Sequence, residues 1–166
     1  KVKGKMNSDD WAKVKMMHGL LDLDLSEAEF TEVPARQFQV TSSDTAMQFL
    51  HRLALPEGLT KINEEAFYYS FIDSLALPST LRTIGEGAFY KCCSLQAIDI
   101  PSNVGLIAKY TFEKCSSLQF VDIPYGVASI EKSAFLECSS LQNVDIPSSV
   151  VAIGKGAFFD CGSLQS

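Results

Sequence analysis

Apolar and polar positions recur along this chain with a fixed period of 23 residues. Leucine, proline and phenylalanine each keep one place in the repeat, and their columns continue to the end of the chain. The columns are Leu95, Leu118, Leu141 and Leu164; Pro78, Pro101, Pro124 and Pro147; and Phe89, Phe112, Phe135 and Phe158. A fixed period of roughly 20 to 50 residues is typical of a solenoid, in which each repeat packs only against its neighbours. The pattern therefore predicts a repeat solenoid.

One repeat, residues 118–140, reads LQFVDIPYGVASIEKSAFLECSS. The alternating apolar residues at its start predict a strand, which Pro124 ends because proline cannot donate to a ladder. The chain then crosses back over the coil through Val127 and Ile130, and Phe135 completes the turn of the coil. Successive strands then form a parallel sheet on one face of a right-handed coil. Short strands, turns and 3-10 or helical pieces are expected on the other face.

The N-terminal segment, residues 1–19, is predicted to be a capping helix. Asn7 offers an N-cap, Trp11, Val14 and Met17 recur at helical spacing, and Gly19 can end the helix. Such a segment covers the open apolar end of a solenoid. The alternative is an amphipathic helix that binds a partner or a membrane.

Residues 20–49 are predicted to be a degenerate first repeat with a loop. Leu21, Leu23 and Leu25 alternate with aspartates, which indicates a strand, and the polar stretch from Gln39 to Gln48 indicates the loop. Residues 50–166 then form repeats of about 23 residues, the last of them truncated after Leu164 begins a new strand.

The two chain ends carry further expectations. Because the chain begins at Lys1 rather than Met, we expect a processed or trimmed product. The last coil has no covering segment, and an unpaired strand edge above an apolar core is a template for association. We therefore expect self-association through the C-terminal end, unless further repeats follow.

Charge and composition argue against nucleic-acid binding and against a membrane span. The net charge of −6 argues against nucleic acid, which requires a basic surface. No apolar run approaches the roughly 18 residues of a membrane span.

Four of the five cysteines fall in the repeat register, namely Cys92, Cys115, Cys138 and Cys161. The sequence has no Cys-x-x-Cys pair and no histidine near a cysteine, so a metal site has little support. We expect reduced thiols buried as small apolar groups, with a disulfide as the alternative. Cys93 stands where other repeats carry serine, so it is the thiol expected to be accessible or to pair.

The repeats LQAIDIPSNVGLIAKYTFEKCSS and LQNVDIPSSVVAIGKGAFFDCGS resemble BspA-like leucine-rich repeats. The resemblance covers residues 50–166 well, and the N-terminal segment resembles the cap and first repeat of that family. It departs at Tyr110-Thr111, where Gly-Ala is usual. The resemblance implies an exported, non-enzymatic protein of the bacterial cell surface that serves in adhesion. A lipoprotein anchor is compatible with that location.

No catalytic constellation stands out in the sequence. The two histidines, His18 and His51, are far from any nucleophile motif, and the Gly-x-Gly pairs at 85–87 and 154–156 lack a third glycine. We therefore expect neither an enzyme nor a cofactor.

A solenoid turns sequence period into rows of side chains, about 4.8 Å apart from coil to coil. Asp99, Asp122 and Asp145 should form an exposed acidic row on the strand sheet. At that spacing two charges in water repel by only about 0.8 kcal/mol, so a solvated row is favoured over a cation site. Two further columns are expected: glutamines that hydrogen-bond to one another (Gln96, Gln119, Gln142 and Gln165) and lysines on the far side of each coil (Lys109, Lys132 and Lys155).

Phe120 occupies an exposed strand position at which the other copies carry Arg52, Ser74, Ala97 and Asn143. Aromatic residues are enriched at binding hot spots. We therefore predict a binding module for a protein or a host glycan on the strand-lined face. The alternative is a structural spacer or assembly segment of a longer surface protein, with no ligand of its own. The predicted contact residues are Arg52, Gln96, Asp99, Gln119, Phe120, Asp122, Asn143 and Asp145.

Overall fold

The computed structural model describes residues 1–41 and 47–165, and these residues form a solenoid of parallel strands. Part of the predicted loop from Gln39 to Gln48 therefore lies outside the described residues. In chain order the elements are β1 (Lys3–Lys5), α1 (Ser8–Lys15), β2 (Asp22–Asp24), β3 (Glu27–Glu29), β4 (Glu32–Val33), β5 (Arg52–Ala54), β6 (Lys61–Ile62), β7 (Thr83–Ile84), β8 (Ala97–Asp99), β9 (Leu106–Ile107), β10 (Phe120–Asp122), β11 (Ser129–Ile130), β12 (Asn143–Asp145) and β13 (Ala152–Ile153).

The described residues make six coils, each with three arcs. We number the coils 1 to 6 by the phenylalanine that closes each one: Phe38, Phe67, Phe89, Phe112, Phe135 and Phe158. The first arc holds β2, β5, β8, β10 and β12, and the second holds β4, β6, β7, β9, β11 and β13. The third arc runs through the phenylalanine and consists of turns rather than the helical pieces that the sequence suggested. The predicted solenoid is confirmed.

Parallel pairing fixes the register of the first arc. Phe120 pairs with Ala97 on one side and Asn143 on the other, and Asp122 pairs with Asp99 and Asp145. Residues between these rows, such as Val121, point inward and are buried. The alternation required by a strand therefore places one row in the core and two rows on the surface. We call the exposed side of the first arc the strand face.

The core is a stack of aromatic rings along the solenoid axis. Successive phenylalanines from coil 1 to coil 6 lie nearly parallel, with ring centroids 5.0–5.4 Å apart. The rings from Phe38 to Phe135 are fully buried, whereas Phe158 in coil 6 is partly exposed. Because each ring buries its two faces against the neighbouring rings, no coil completes its core alone.

Third-arc hydrogen bonds run in one direction along the solenoid. In coil 3 the N–H groups of Gly87, Phe89 and Lys91 donate to carbonyls of coil 4 at 2.8–3.0 Å, and the same three places donate from each of coils 1 to 5. In coils 2 to 6 the residues two before and two after the phenylalanine have positive φ, as Lys91 and Tyr110 do at 58° and 59°, whereas in coil 1 only the residue before it, Arg36, does so. This alternation aims successive N–H groups at the next coil.

The N-terminal cap contains α1, as predicted, but α1 is shorter than expected. Asn7 caps it, accepting from Asp9 and Asp10, and Trp11 and Val14 are buried. The prediction that the helix continues to Gly19 is wrong, because α1 ends at Lys15. Met17 therefore lies outside the helix and is exposed.

A strand precedes the helix, which the sequence did not indicate. β1 pairs in parallel with β3, and Lys1 and Lys3 form ion pairs with Glu27. The alternation expected for the first repeat also holds only in part. Leu23 and Leu25 are buried, but Leu21 precedes β2 and is 58% exposed.

The cysteine column satisfies backbone acceptors in the core. Each thiol donates to the carbonyl of the phenylalanine in the preceding coil at 3.0–3.1 Å. Cys92, Cys115 and Cys138 are buried, Cys161 is half-buried and all are free thiols, as predicted, while Cys93 is exposed. The repeat therefore uses cysteine as a small apolar group with a weak donor.

We expect Cys93 to be alkylated rapidly in the native protein and Cys115 and Cys138 to react only after denaturation. Burial raises the pKa of the Cys115 and Cys138 thiols, so the reactive thiolate stays scarce even in mildly alkaline solution. Peptide mass mapping after timed alkylation measures this. Cys93→Ser, which reproduces Ser116 of the next coil, is the matched control and should remove the fast reaction. Rapid native labelling of Cys138 would contradict the expectation.

Candidate functional site

The strand face presents a large aromatic side chain, Phe120, on the middle strand of coils 4 to 6. Phe120 is 51% exposed, and its row neighbours Ala97 and Asn143 are smaller and also exposed. The adjacent row carries the carboxylates of Asp99, Asp122 and Asp145. These side chains line a shallow depression on coils 4 to 6. An apolar centre with an acidic border is thus built directly from the strand register.

The acidic row has no countercharge of its own. Within residues 1–41 and 47–165, none of the three aspartates forms an ion pair or a side-chain hydrogen bond. No group of three or more potential ligands that could hold a metal ion is found among these residues. The row therefore leaves three carboxylates to water or to a partner.

The other predicted contact residues lie beside this depression or farther along the sheet. Arg52 is exposed on β5 and bridges to Ser74, so it lies two coils from Ala97. The glutamine column is in register through its backbone, since the Gln119 N–H donates to the Gln96 carbonyl at 2.9 Å. The predicted hydrogen bonds between glutamine side chains are wrong, since none is found in the part of the chain described here, where Gln119 is half-buried and the other glutamines of the column are exposed.

Both Gly-x-Gly pairs have structural explanations. A Cβ on Gly85 would lie 2.7 Å from the Asn63 carbonyl carbon, so a side chain would collide with the preceding coil. Gly87 and Gly156 take positive φ, which glycine adopts at least cost. These glycines therefore shape turns of the third arc.

The structure shows one exposed aromatic residue and one aromatic cluster that the sequence did not predict as surface features. Tyr125, in the turn after β10, is 78% exposed. Tyr68 and Tyr90 stack at 5.2 Å on the third arc, next to the lysine column, where Lys132 lies over Tyr110 at 5.6 Å. Tyr68 and Tyr90 hold the same place after the phenylalanine of their coils, so comparing the repeats column by column would have found them.

The fold and its repeat define the class as a leucine-rich-repeat solenoid. The BspA type leucine rich repeat region family matches residues 44–165 with 6 copies. The chain belongs to this family, whose members are bacterial surface proteins. No curated protein matches the sequence.

Solved bacterial structures share the fold. A T. pallidum leucine rich repeat protein superposes with a TM-score of 0.76 at 25% identity, covering 88% of this chain and 78% of that one. A Bacteroides ovatus leucine-rich repeat protein gives 0.69 at 22% identity, over 92% of this chain and 39% of that one. One from Eubacterium ventriosum gives 0.59 at 21% identity, over 87% and 44%. The chain thus spans less than half the length of the last two proteins.

Family membership indicates a module for protein interaction or a structural repeat, and such repeats are typically non-enzymatic scaffolds. The described residues include no helix long and apolar enough to cross a membrane.

Proposed function

We propose that the chain is an exported, cell-surface adhesion module that binds a protein partner through its strand face. The observation that supports this proposal is Phe120, a half-exposed ring at the centre of the depression on coils 4 to 6. In a well-packed interface such a ring contributes a large share of the binding free energy, because the surrounding contacts exclude water from it. The strand pairing holds the backbone of Phe120 in place without any partner, so little backbone conformational entropy is lost on binding.

The acidic row indicates the chemistry of the partner. Asp99, Asp122 and Asp145 are in register beside the ring and have no cation among the described residues. Like charges in a row favour a basic surface opposite, which speeds encounter and fixes orientation. The partner surface should therefore offer an apolar pocket for Phe120 and basic side chains for the row.

Phe120→Ala should weaken binding to a host protein surface by about thirtyfold, which corresponds to a hot spot of about 2 kcal/mol. Asp122→Ala should slow association and reduce its dependence on salt. Beads coated with the chain are first tested for adhesion to immobilised extracellular proteins. Surface plasmon resonance on the strongest binder then measures the affinity and the association rate of each variant.

The matched control is Tyr125→Ala, which removes a more exposed aromatic ring that is not on the strand face. It should leave binding unchanged, as should Lys132→Ala on the third arc. Loss of binding through Lys132→Ala alone would place the contact on the third arc. Binding that survives proteolysis of the surface but not removal of its sugars would replace the protein partner with a glycan.

The second candidate is a structural segment that associates through coil 6. In this coil Val151 is 84% exposed, and Ile146, Ile153 and Phe159 are exposed as well. Among the described strands, β12 and β13 pair on one side only. Apolar side chains beside an unpaired edge favour pairing with another coil.

Residues 1–166 should therefore self-associate as concentration rises, and Val151→Lys with Ile153→Lys should suppress it, because charged residues on an edge strand prevent strand addition. Light scattering over a concentration series measures the mass. Tyr125→Lys adds a charge away from coil 6 and is the control. A monomer at every concentration would remove the support for this candidate.

A further inference from the structure

The strand face has an uncharged counterpart on the second arc of the same three coils. Its outward residues form two adjacent rows, joined by the pairing of β9, β11 and β13 and by backbone hydrogen bonds of 2.9 Å. Two of these side chains are large and apolar, Leu106 at 42% exposed and Val151 at 84%. We call this surface the second-arc face, and its rows are Gly105, Ala128 and Val151, and Leu106, Ser129 and Ala152.

A row of lysines borders the second-arc face. Lys109, Lys132 and Lys155 hold one place in coils 4 to 6, where the second arc meets the third, and all three are exposed. In the part of the chain that the structure describes, none of them forms an ion pair. Lys132 Nζ lies over the Tyr110 ring at 5.6 Å, which supplies no countercharge. One acidic group lies among them, the Glu131 carboxylate, which accepts from the Lys109 N–H at 3.1 Å. The border is therefore basic.

The acidic row and the lysine row begin together at coil 4. In the place of Asp99, coils 2 and 3 carry Ala54 and Ala76, and in the place of Lys109 they carry glutamates. Coils 4 to 6 therefore carry two apolar surfaces, one with an acidic border and one with a basic border, whose charges share the coil spacing of about 4.8 Å. The second arc changes at the same coil, since its outward places in coils 1 to 3 include Glu32, Lys61 and Arg82.

The order of the rows decides how the two faces fit each other. The chain runs around every face in the same sense, and the charged row comes after the apolar residues on both, as Asp122 follows Phe120 and Lys109 follows Leu106. Turning one face towards the other exchanges left and right, so parallel solenoid axes would set the acidic row against apolar residues. With antiparallel axes the acidic row faces the lysines and the apolar residues face each other.

We infer that the strand face of one copy of this chain binds the second-arc face of a second copy, with the two solenoid axes antiparallel. Coil 4 of each face then lies opposite coil 6 of the other, and Asp122 in coil 5 meets Lys132 of the second copy. Because the two faces lie on different arcs, each copy keeps one face free, and the contact extends into a chain of copies. This contact uses the same strand face as the proposed function and rests on it, but its occupant is a second copy.

The centre of the second-arc face fits the Phe120 ring. Ala128 in coil 5 lies opposite the ring and has only a methyl group, while Leu106 and Val151 flank it in coils 4 and 6. A Cβ on Gly105 would meet no described atom within 4 Å, so the space beside Leu106 is open. The second copy therefore supplies both features expected of a partner for the strand face, an apolar recess for the ring and basic side chains for the acidic row.

Charge reversal at the central pair tests the contact. Asp122→Lys and Lys132→Glu should each weaken self-association about thirtyfold, because an attraction between unit charges becomes a repulsion of similar size. The double variant, with both changes in one chain, should associate as the unchanged protein does, since Lys and Glu then face each other across the contact. Sedimentation velocity over a concentration series measures the association, which should also weaken at high salt.

Asp99→Lys tests the antiparallel orientation. Because Asp99 then faces Lys155 of the second copy, Lys155→Glu should restore association to this variant. Lys109→Glu makes the same charge change at the other end of the lysine row and is the matched control, which should not restore it. A monomer at every concentration, association untouched by Asp122→Lys, or double variants as weak as the single ones would each overturn the inference. If Asp122→Lys still weakened binding to a host protein, the proposed function would stand even then.

Discussion

Phe112→Ala should lower the free energy of unfolding by about 3–5 kcal/mol, the usual cost of removing a fully buried aromatic ring. Phe112 is fully buried and stacks on Phe89 and Phe135, so the cavity would have ring faces on both sides. Its neighbours are held in place by backbone bonds between coils, which limits collapse into the space. Urea denaturation followed by circular dichroism measures the change.

Phe158→Ala is the matched comparison. Phe158 has the same place in coil 6, but among residues 1–41 and 47–165 it stacks on Phe135 alone, and it is partly exposed. Its loss should therefore cost markedly less than that of Phe112. If the two variants lost the same free energy of unfolding, the contribution of a ring would not depend on having a coil on each side of it. That result would contradict the behaviour expected of a solenoid.

Trp11→Ala should lower the midpoint of thermal unfolding of the whole array. Trp11 is 7% exposed and contacts Phe30 edge-on at 4.9 Å and Phe38, the first ring of the stack, at 6.1 Å. Truncating such a residue costs about 3–5 kcal/mol, and the open end of the stack would then meet water. Differential scanning calorimetry measures the midpoint.

Met16→Ala serves as the control because Met16 is also large and apolar but is 74% exposed at the end of α1. It should leave the midpoint nearly unchanged. If Trp11→Ala also left the midpoint unchanged, the N-terminal segment would be a dispensable tail rather than a cap.

The sequence predicted the coil because one physical constraint repeats. A residue such as Phe112 must meet its copies in both neighbouring coils, so its spacing is visible without any structure. β1 carries no such mark, since Lys3–Lys5 is polar and pairs with β3 through backbone groups and an exposed ion pair, which leave no apolar pattern in the sequence. The positive φ values of Lys91 and Tyr110 could not be predicted from the sequence either, because neither residue is a glycine.

The candidate surfaces divide in the same way. The acidic row followed from strand register, so Asp122 was expected beside Asp99 and Asp145 and is found there. The glutamine side chains were free of that constraint, because the backbone already joins the coils and water competes for exposed amides. The stacked pair of Tyr68 and Tyr90 was not predicted, because tyrosine occupies this place in coils 2 and 3 and not in the other coils.

The one-way hydrogen bonds of the third arc make the two ends of this array chemically unlike. On this arc each coil offers carbonyl oxygens towards the N-terminal side and N–H groups towards the C-terminal side. At the N-terminal side, Lys15 of α1 donates to the Arg36 carbonyl on this arc. On this arc, a lid for that side must bring donors, whereas a lid for the side of Gly156 and Phe158 must bring acceptors. A cap moved from one end to the other would therefore present the wrong hydrogen-bonding groups to the third arc, whatever its fit in shape.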